Sequence, residues 1–279
     1  MDSSGDTVGT TDPDALEVQE ATERLLAEFD PDTTGETEFL GAQYDAGLAW
    51  VHFPRGLGGL GVNPRLQALA TGRITEAGGP LGGLRNPIGY GMCGPAVEVH
   101  GTDEQRALLR PLFTNEHIWC QLFSEPGAGS DVASLATRAE RDGEEWVVNG
   151  QKVWTTLAHV SSYGLLIARS DPEVPKHRGM TAFIVDMRAP GVETRPLRQM
   201  TGDAEFNEVY FTDVRIPDSM RLDEVGRGWS VAITTLMNER VSIGAGTGAP
   251  PRGSGPIRQL VDAYSAHGST DEVMRDRVV

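Results

Sequence analysis

The chain has 279 residues, of which 39% are hydrophobic and 23% are charged, and its formal net charge is −16. A chain of this length is expected to form two or three domains with buried cores. The excess of acidic residues argues against nucleic acid or an anionic membrane as a partner, because both are bound through clustered cations. With only Cys93 and Cys120, a disulfide framework is also excluded.

The sequence contains no targeting or membrane pattern. Residues 1–17 are acidic and have no apolar core, unlike a signal peptide. No apolar run approaches the roughly 20 residues that a membrane helix needs. We therefore expect a cytoplasmic protein without a membrane partner.

The first part of the chain has helical periodicity, with apolar residues three and four apart and short breaks of Gly and Pro. Helices are predicted at residues 16–29, 37–50, 65–76, 88–100 and 103–112. Asp30-Pro31 ends the first of them, because the residue before a proline disfavours helix. The periodicity indicates a helical N-terminal domain.

The pattern changes to alternation near His117. Strands are predicted at residues 135–141, 145–148, 152–156, 163–168, 180–186, 192–196 and 205–214. Asp142-Gly143 and Asn149-Gly150 adopt positive φ at low cost and predict tight hairpin turns. We expect a central antiparallel β-sheet or barrel.

Helical periodicity returns after Pro217. On a helical wheel, one apolar stripe is predicted to contain Val225, Trp229, Ile233, Leu236 and Ile243. Arg240 falls in the same stripe and Glu239 at its edge, and a buried cation needs a partner or a functional reason. Pro250-Pro251 end this helix, and short helices are predicted at 257–266 and 271–279.

The predicted fold class is therefore α+β with several domains. Residues 1–116 form an N-terminal helical domain, 117–222 a central antiparallel β-barrel or sheet domain, and 223–279 a partial C-terminal helical domain. The letters G-x-G-x-x-G at residues 56–61 do not predict dinucleotide binding, because prolines flank them and no strand precedes them. The six histidines form no cluster with metal-ligand spacing, so no metal site is expected.

Two motifs in the β region carry the chemistry. The Gly-rich segment 124–131 contains the hydroxyls of Ser124 and Ser130, and it is either a turn between strands or a polar rim for a ligand. Trp154 and Thr156 are two apart on a predicted strand and share a face. An indole and a hydroxyl together suit an aromatic heterocycle, although a core Trp beside a cross-strand Thr would have the same letters.

Together these segments resemble the acyl-CoA dehydrogenase family of flavoproteins. The resemblance rests on residues 120–131 (CQLFSEPGAGSD), 149–156 (NGQKVWTT), 179–185 (GMTAFIV), 206–211 (FNEVYF), 214–217 (VRIP) and 238–241 (NERV). The matching stretches follow in order over most of the chain, from about residue 40 to 245. The helix–sheet–helix order agrees with that of the family.

The resemblance implies a cofactor, a substrate and a set of site residues. The cofactor would be FAD, with Gln121, Phe123 and Ser124 along the flavin and with Trp154 and Thr156 covering its ring. Ser130 would contact the acyl-CoA substrate. The implied reaction is α,β-dehydrogenation of a fatty or branched acyl-CoA thioester, with an electron-transfer flavoprotein as the electron acceptor.

The resemblance also implies a catalytic base. Glu239 followed by Arg240 matches the position that long-chain and branched-chain members use for the base, with Arg240 on the substrate side; a structural Glu–Arg ion pair is the alternative. The family's late C-terminal segments are not recognisable in this chain, and a homo- or hetero-oligomer is expected. Two other functions stay open, namely a non-catalytic or incomplete subunit that completes a partner's flavin site, and a flavin oxidase or monooxygenase.

Overall fold

The computed structural model of the chain describes residues 12–246 and 256–267, together with Val273 and Arg275. Contacts divide the chain into two compact units, one ending at Asn238 and one beginning at Glu239. The helices of the first half are α1 (Pro13–Glu28), α2 (Glu36–Asp45), α3 (Gln67–Glu76), α4 (Gly94–His100), α5 (Asp103–Arg106) and α6 (Leu109–Phe113). All five predicted helical stretches of this half contain helix.

The helix boundaries differ from the prediction where glycine or proline intervenes. Helix α2 ends at Asp45 instead of continuing to Trp50, because Gly47 adopts a φ of 78° that ends the helix. The stretch 103–112 is divided into α5 and α6, since Pro111 lacks an amide hydrogen and its ring disfavours a helical turn four residues upstream. Helix α4 follows a π-helical turn at Gly89–Cys93.

The strands form one sheet. They are β1 (Trp119–Leu122), β2 (Arg138–Asp142), β3 (Glu145–Thr156), β4 (Tyr163–Arg169), β5 (Met180–Asp186), β6 (Val192–Leu197), β7 (Phe206–Pro217) and β8 (Arg221–Leu222). Their order is β6-β7-β3-β2-β4-β5-β8, with β1 beside β4. In sequence, the strands follow the helices of the first half and precede the last two helices.

The sheet is mixed: the expected antiparallel pairing is confirmed for most ladders, and two ladders on β4 are parallel. Strand β1, which the alternation pattern did not predict, pairs in parallel with β4, and β2 meets β4 in parallel at a single residue pair. The other ladders are antiparallel. The parallel pairing is possible because the chain between β1 and β4 is long enough for a crossover, which a hairpin turn is not.

One of the two predicted hairpin turns is correct. Gly143 has a φ of 64° in the turn between β2 and β3. Asn149-Gly150 instead lies inside the continuous strand β3, where the register with β7 shifts between Val148 and Gly150. A Cβ at Gly150 would lie 2.5 Å from the Thr137 hydroxyl oxygen, so glycine is required there by close packing inside a bulge.

The largest core joins the helices to the sheet. Its buried side chains come from the helical half, as with Trp50 and Phe113, and from the strands, as with Trp119 and Leu165. A second core lies within the sheet and a third lies among α1, α2 and α3. This shared core positions the segment that follows β1 between helices and sheet.

Two helices follow the sheet, α7 (Gly228–Gly246) and α8 (Pro256–His267). Helix α8 corresponds to the prediction at 257–266. The predicted Gly/Pro break and most of the predicted helix at 271–279 lie outside the described residues. In the part of the chain that the structure describes, no helix has the length and hydropathy needed to cross a membrane.

Candidate active site

The Gly-rich segment forms a compact loop after β1. The backbone amide of Glu125 donates to the Ala128 carbonyl at 2.9 Å, and the Ala128 amide donates back at 3.0 Å. A Cβ built on Gly127 or Gly129 would have no heavy atom within 4 Å, so the space above both glycines is open. The loop therefore has room for a close-lying ligand.

The predicted residues of this segment have different environments. Ser124 and Gln121 are half-buried, and Ser130 is exposed. The Phe123 side chain is buried in the largest core. Phe123 can therefore reach a ligand through its backbone, whereas Gln121, Ser124 and Ser130 have accessible polar side chains.

The loop is hydrogen-bonded to β3 beside Trp154. The Val153 amide donates to the Ser124 carbonyl at 2.9 Å, and Lys152 Nζ donates to the Phe123 carbonyl at 3.0 Å. Ser124 and Trp154 are thus held on adjoining backbone segments. We call Ser124, Trp154 and Thr156 the rim residues.

Trp154 has an unusual conformation. It lies where the register with β7 shifts between Lys152 and Thr155, its φ is 60°, and its side chain is 61% exposed. Its indole meets the Phe206 ring edge-on, with 6.0 Å between the ring centroids. Phe206 pairs with the half-buried Thr156 in the β3–β7 ladder. Left-handed backbone is rare for a bulky residue, and residues in this conformation cluster at functional sites; Leu157, three residues further on, also has a φ of 60°.

The rim residues fit a flat heterocycle such as a flavin. An exposed indole offers a stacking surface, and the half-buried Ser124 and Thr156 offer hydroxyl donors, one from the loop and one from β3. Below them, the Thr155 hydroxyl and the Asn207 side-chain oxygen are buried without a hydrogen-bond partner. Such orphaned polar atoms are expected near a site that a polar group completes.

Sequence reasoning missed a buried ion pair behind the rim. Lys152 Nζ lies 2.8 Å from Glu125 Oε1, and the lysine side chain is 0% exposed. Burial lowers the pKa of Lys152 to about 8, against the raising effect of Glu125. Burial alone would raise the pKa of Glu125, but the charge of Lys152 and the hydrogen bonds to the carboxylate hold it below its ordinary value. The alternation along the same strand could have predicted it, because Lys152 has the same parity as the inward-facing Trp146 and Val148. A buried lysine in turn requires an acidic partner.

The helical-wheel prediction for α7 was wrong at Ile233 and Arg240, which are exposed, whereas Trp229 and Leu236 of the predicted stripe are half-buried against the largest core. Among residues 229–240, the buried ones are Val231, Ala232 and Thr235. The helix begins against β5, since a Cβ at Gly228 would lie 2.8 Å from backbone atoms of that strand. Close approach selects the face with small side chains over the most apolar face.

The predicted base lies on the later part of α7. Glu239 is half-buried, and no ion pair between Glu239 and Arg240 occurs among the described residues. Both belong to the second compact unit, whereas the rim residues, Gln121 and Ser130 belong to the first. Among the described residues, no group of His, Cys, Asp and Glu could hold a metal ion.

Comparison with known proteins identifies the family. The family model described as acyl-CoA dehydrogenase, middle domain, matches residues 120–214. Acyl-CoA dehydrogenase FadE34 of Mycobacterium tuberculosis is 47% identical over 207 residues, which are 73% of this chain and 28% of FadE34. Acyl-CoA dehydrogenase IpdE1 of the same species is 41% identical over 196 residues, which are 70% of this chain and 50% of IpdE1.

A solved structure agrees over the fold. The structure named Tcur3481-Tcur3483 steroid ACAD has a TM-score of 0.67 and 28% identity, covering 95% of this chain and 70% of that chain. Helices followed by a mixed sheet, with the Gly-rich loop of residues 124–131 (here called the rim loop), therefore define an acyl-CoA dehydrogenase fold. The chain belongs to the acyl-CoA dehydrogenase family, and its match spans 28% of the length of FadE34 and 50% of the length of IpdE1.

Proposed function

We propose that this chain binds FAD and catalyses the α,β-dehydrogenation of an acyl-CoA thioester with a fatty or branched acyl group. An electron-transfer flavoprotein would accept the electrons, and the cytoplasm would be the site of the reaction. The observation that carries the proposal is the exposed, left-handed Trp154 beside the hydrogen-bonded Ser124 loop. Both lie within the residues that match the family's middle domain.

The residues of the chain would have separate roles. FAD, when bound, supplies the acceptor for the hydride that leaves the β-carbon. Trp154 would cover the flavin ring, and the hydroxyls of Ser124 and Thr156 would hydrogen-bond to its polar edge, with Gln121 and the Phe123 backbone alongside. Ser130 and Arg240 would bind the acyl-CoA, and the carboxylate of Glu239 would accept the α-proton.

The experiment begins with the absorption spectrum of the chain purified with excess FAD and then gel-filtered. The expected result is a flavin band near one equivalent per chain that bleaches when an acyl-CoA is added without oxygen. The substrate panel should contain straight, branched and polycyclic acyl groups, since one matched structure is named a steroid ACAD. A chain that retains FAD but bleaches with none of them would contradict the dehydrogenase proposal.

A second candidate is a subunit that completes a flavin site together with a partner. It is favoured by the apolar side chains Ile233 and Met237 on α7, which are 43% and 53% exposed. A protein surface with such residues often marks an interaction site. In that case the isolated chain would not retain FAD, and adding a longer relative would restore binding. One equivalent of FAD in the isolated chain would reject this candidate.

A further inference from the structure

Three backbone segments meet at the buried pair of Glu125 and Lys152. Glu125 Oε2 accepts from the Ala136 amide at 2.6 Å, and Oε1 accepts from the Thr137 amide at 3.0 Å. Lys152 Nζ donates to Glu125 Oε1 at 2.8 Å and to the Phe123 carbonyl at 3.0 Å. The pair therefore joins the rim loop, the start of β2 and the bulge of β3.

The connection lies directly behind the rim residues. Ser124 sits between Phe123, whose carbonyl binds the lysine, and Glu125, whose carboxylate binds it. Val153 follows Lys152, and its amide donates to the Ser124 carbonyl at 2.9 Å. Trp154 is the next residue. The ion pair therefore acts beside this direct hydrogen bond, holding the residues on both sides of Ser124 to the residue before Val153.

A buried charge pair is a costly way to fill space. Its desolvation often equals or exceeds the attraction within the pair, so apolar residues of similar volume would give equal or greater stability. Such pairs instead give directional bonds that fix geometry. The structure thus uses a costly interaction where two rim residues must keep a defined spacing.

We propose that the Glu125–Lys152 ion pair is a positioning device that sets the spacing of Ser124 and Trp154 at the flavin rim, and that it weakens when Lys152 loses its proton. The proposal deepens the proposed function and rests on it. Two charged groups face Lys152, the carboxylate of Glu125 from the rim loop and the guanidinium of Arg169 from β4. Burial lowers the pKa of Lys152 to about 8, so this lysine titrates in mildly alkaline solution.

The first test compares Lys152→Met and Glu125→Gln with Lys176→Met. Lys176 is a matched control, because it is the only other lysine and also lies 2.7 Å from a carboxylate, that of Asp131, but is 46% exposed. We expect the two rim variants, Lys152→Met and Glu125→Gln, to bind FAD about ten- to a hundredfold more weakly, by analogy with the loss found when the residues that orient metal ligands are removed. The spectrum of any bound flavin should also shift, and the control should match the wild type.

A measurement without cofactor separates this proposal from the proposed function. In the free chain, amide hydrogen exchange at Val153, Ala136 and Thr137 should accelerate about tenfold or more in the rim variants, because the bonds that protect these amides open locally. A wild-type chain that binds no FAD would contradict the proposed function, whereas exchange would still report on the ion pair. Unchanged exchange in both folded rim variants would overturn the positioning role.

A third measurement does not depend on the rim variants folding. In a Lys176→Arg background Lys152 is the single lysine, so ¹⁵N-lysine labelling reports its titration directly. We expect the Ser124 and Val153 amide signals, and the band of any bound flavin, to shift at the pH where Lys152 titrates. The proposal would be overturned if Lys152 did not titrate between pH 7 and 10, or if those amide signals stayed constant while it did.

Discussion

Trp154 combines three properties that seldom occur in one aromatic residue. Its backbone is left-handed, and the residue is 61% exposed. The amide of the preceding residue, Val153, donates a hydrogen bond to the Ser124 carbonyl. Folding alone gives no reason to expose an indole on a strained backbone, since burying it would contribute more. A ligand that stacks on the ring would supply the missing contact area.

Thr156→Val tests the polar part of the rim. The substitution removes a hydroxyl donor and keeps the shape, so we expect a shifted flavin spectrum and slower flavin reduction, with a loss of about 1 kcal/mol in the hydrogen bond. Stopped-flow reduction with substrate measures it. Thr194→Val is the control, because Thr194 is also a half-buried strand residue but lies on β6. Equal spectra and rates in the Thr156 variant and the wild type would contradict the assignment.

Glu239→Gln tests the predicted base. The amide keeps the shape but cannot accept the α-proton, so we expect flavin reduction to slow by about 10²- to 10⁴-fold while substrate still binds. Glu38→Gln on α2 is the exposed control. Reduction at the wild-type rate in the Glu239 variant would place the base elsewhere.

Lys152 makes a specific contribution to the pH dependence of folding. Its folded pKa of about 8 lies below the ordinary value of about 10.4, so between these pH values the unfolded chain binds more protons than the folded chain. The free energy of unfolding of the wild type should therefore rise, relative to Lys152→Met, as the pH increases from 8 to 10.5. Urea unfolding at several pH values measures it. A difference that is constant with pH would show that Lys152 keeps its proton.

At the scale of elements, strand β3 determines the shape of the site. It continues through Asn149-Gly150 and contains register shifts on both sides of Gln151 that cancel, so residues 150–152 are displaced by one position relative to β7, while Thr155 and Thr156 return to the register of the first half. Bulges of this kind re-aim side chains near functional sites. At the second shift Val153 and Trp154 of β3 lie opposite a single residue of β7, so the buried Lys152 is followed within two positions by the exposed Trp154.

Gly150→Ala tests the packing of the first bulge. The new methyl group would lie 2.5 Å from the Thr137 hydroxyl oxygen and 2.7 Å from its Cα, so we expect destabilisation of about 1–3 kcal/mol in urea unfolding. Gly143→Ala is the control, because Gly143 also has a positive φ but its Cβ would meet no atom within 4 Å. If both variants lost the same free energy, backbone conformation alone would explain the effect.

At the scale of the whole molecule, the first compact unit exposes apolar side chains on α7. The helix packs through its small residues and leaves Ile233 and Met237 exposed. Exposed apolar residues on one helix are characteristic of interaction surfaces. The surface on α7 therefore bears on whether the chain functions alone.

We expect the isolated chain to bind hydrophobic dyes and to self-associate as its concentration rises. Ile233→Lys with Met237→Lys should reduce both effects, because charged side chains at these positions disfavour an apolar contact. Sedimentation velocity and dye fluorescence are the measurements, with Leu16→Lys on α1 as a control of similar exposure. A monodisperse wild-type monomer without dye binding would show that this surface is not adhesive.

The sequence by itself determined the helix–sheet–helix order, the rim motifs and the family, since these depend on local periodicity and on letters that are contiguous in the chain. It did not determine the parallel pairing of β1 with β4, the bulge at Gly150 or the buried face of α7. Those depend on contacts between residues far apart in sequence. The ion pair of Glu125 and Lys152 is of the same kind, because 27 positions separate residues whose charges become partners only when the loop and β3 pack together. Tertiary packing decides such features, because a charged side chain needs a charged partner only once it is buried. Local propensity does not determine which side chains become buried together.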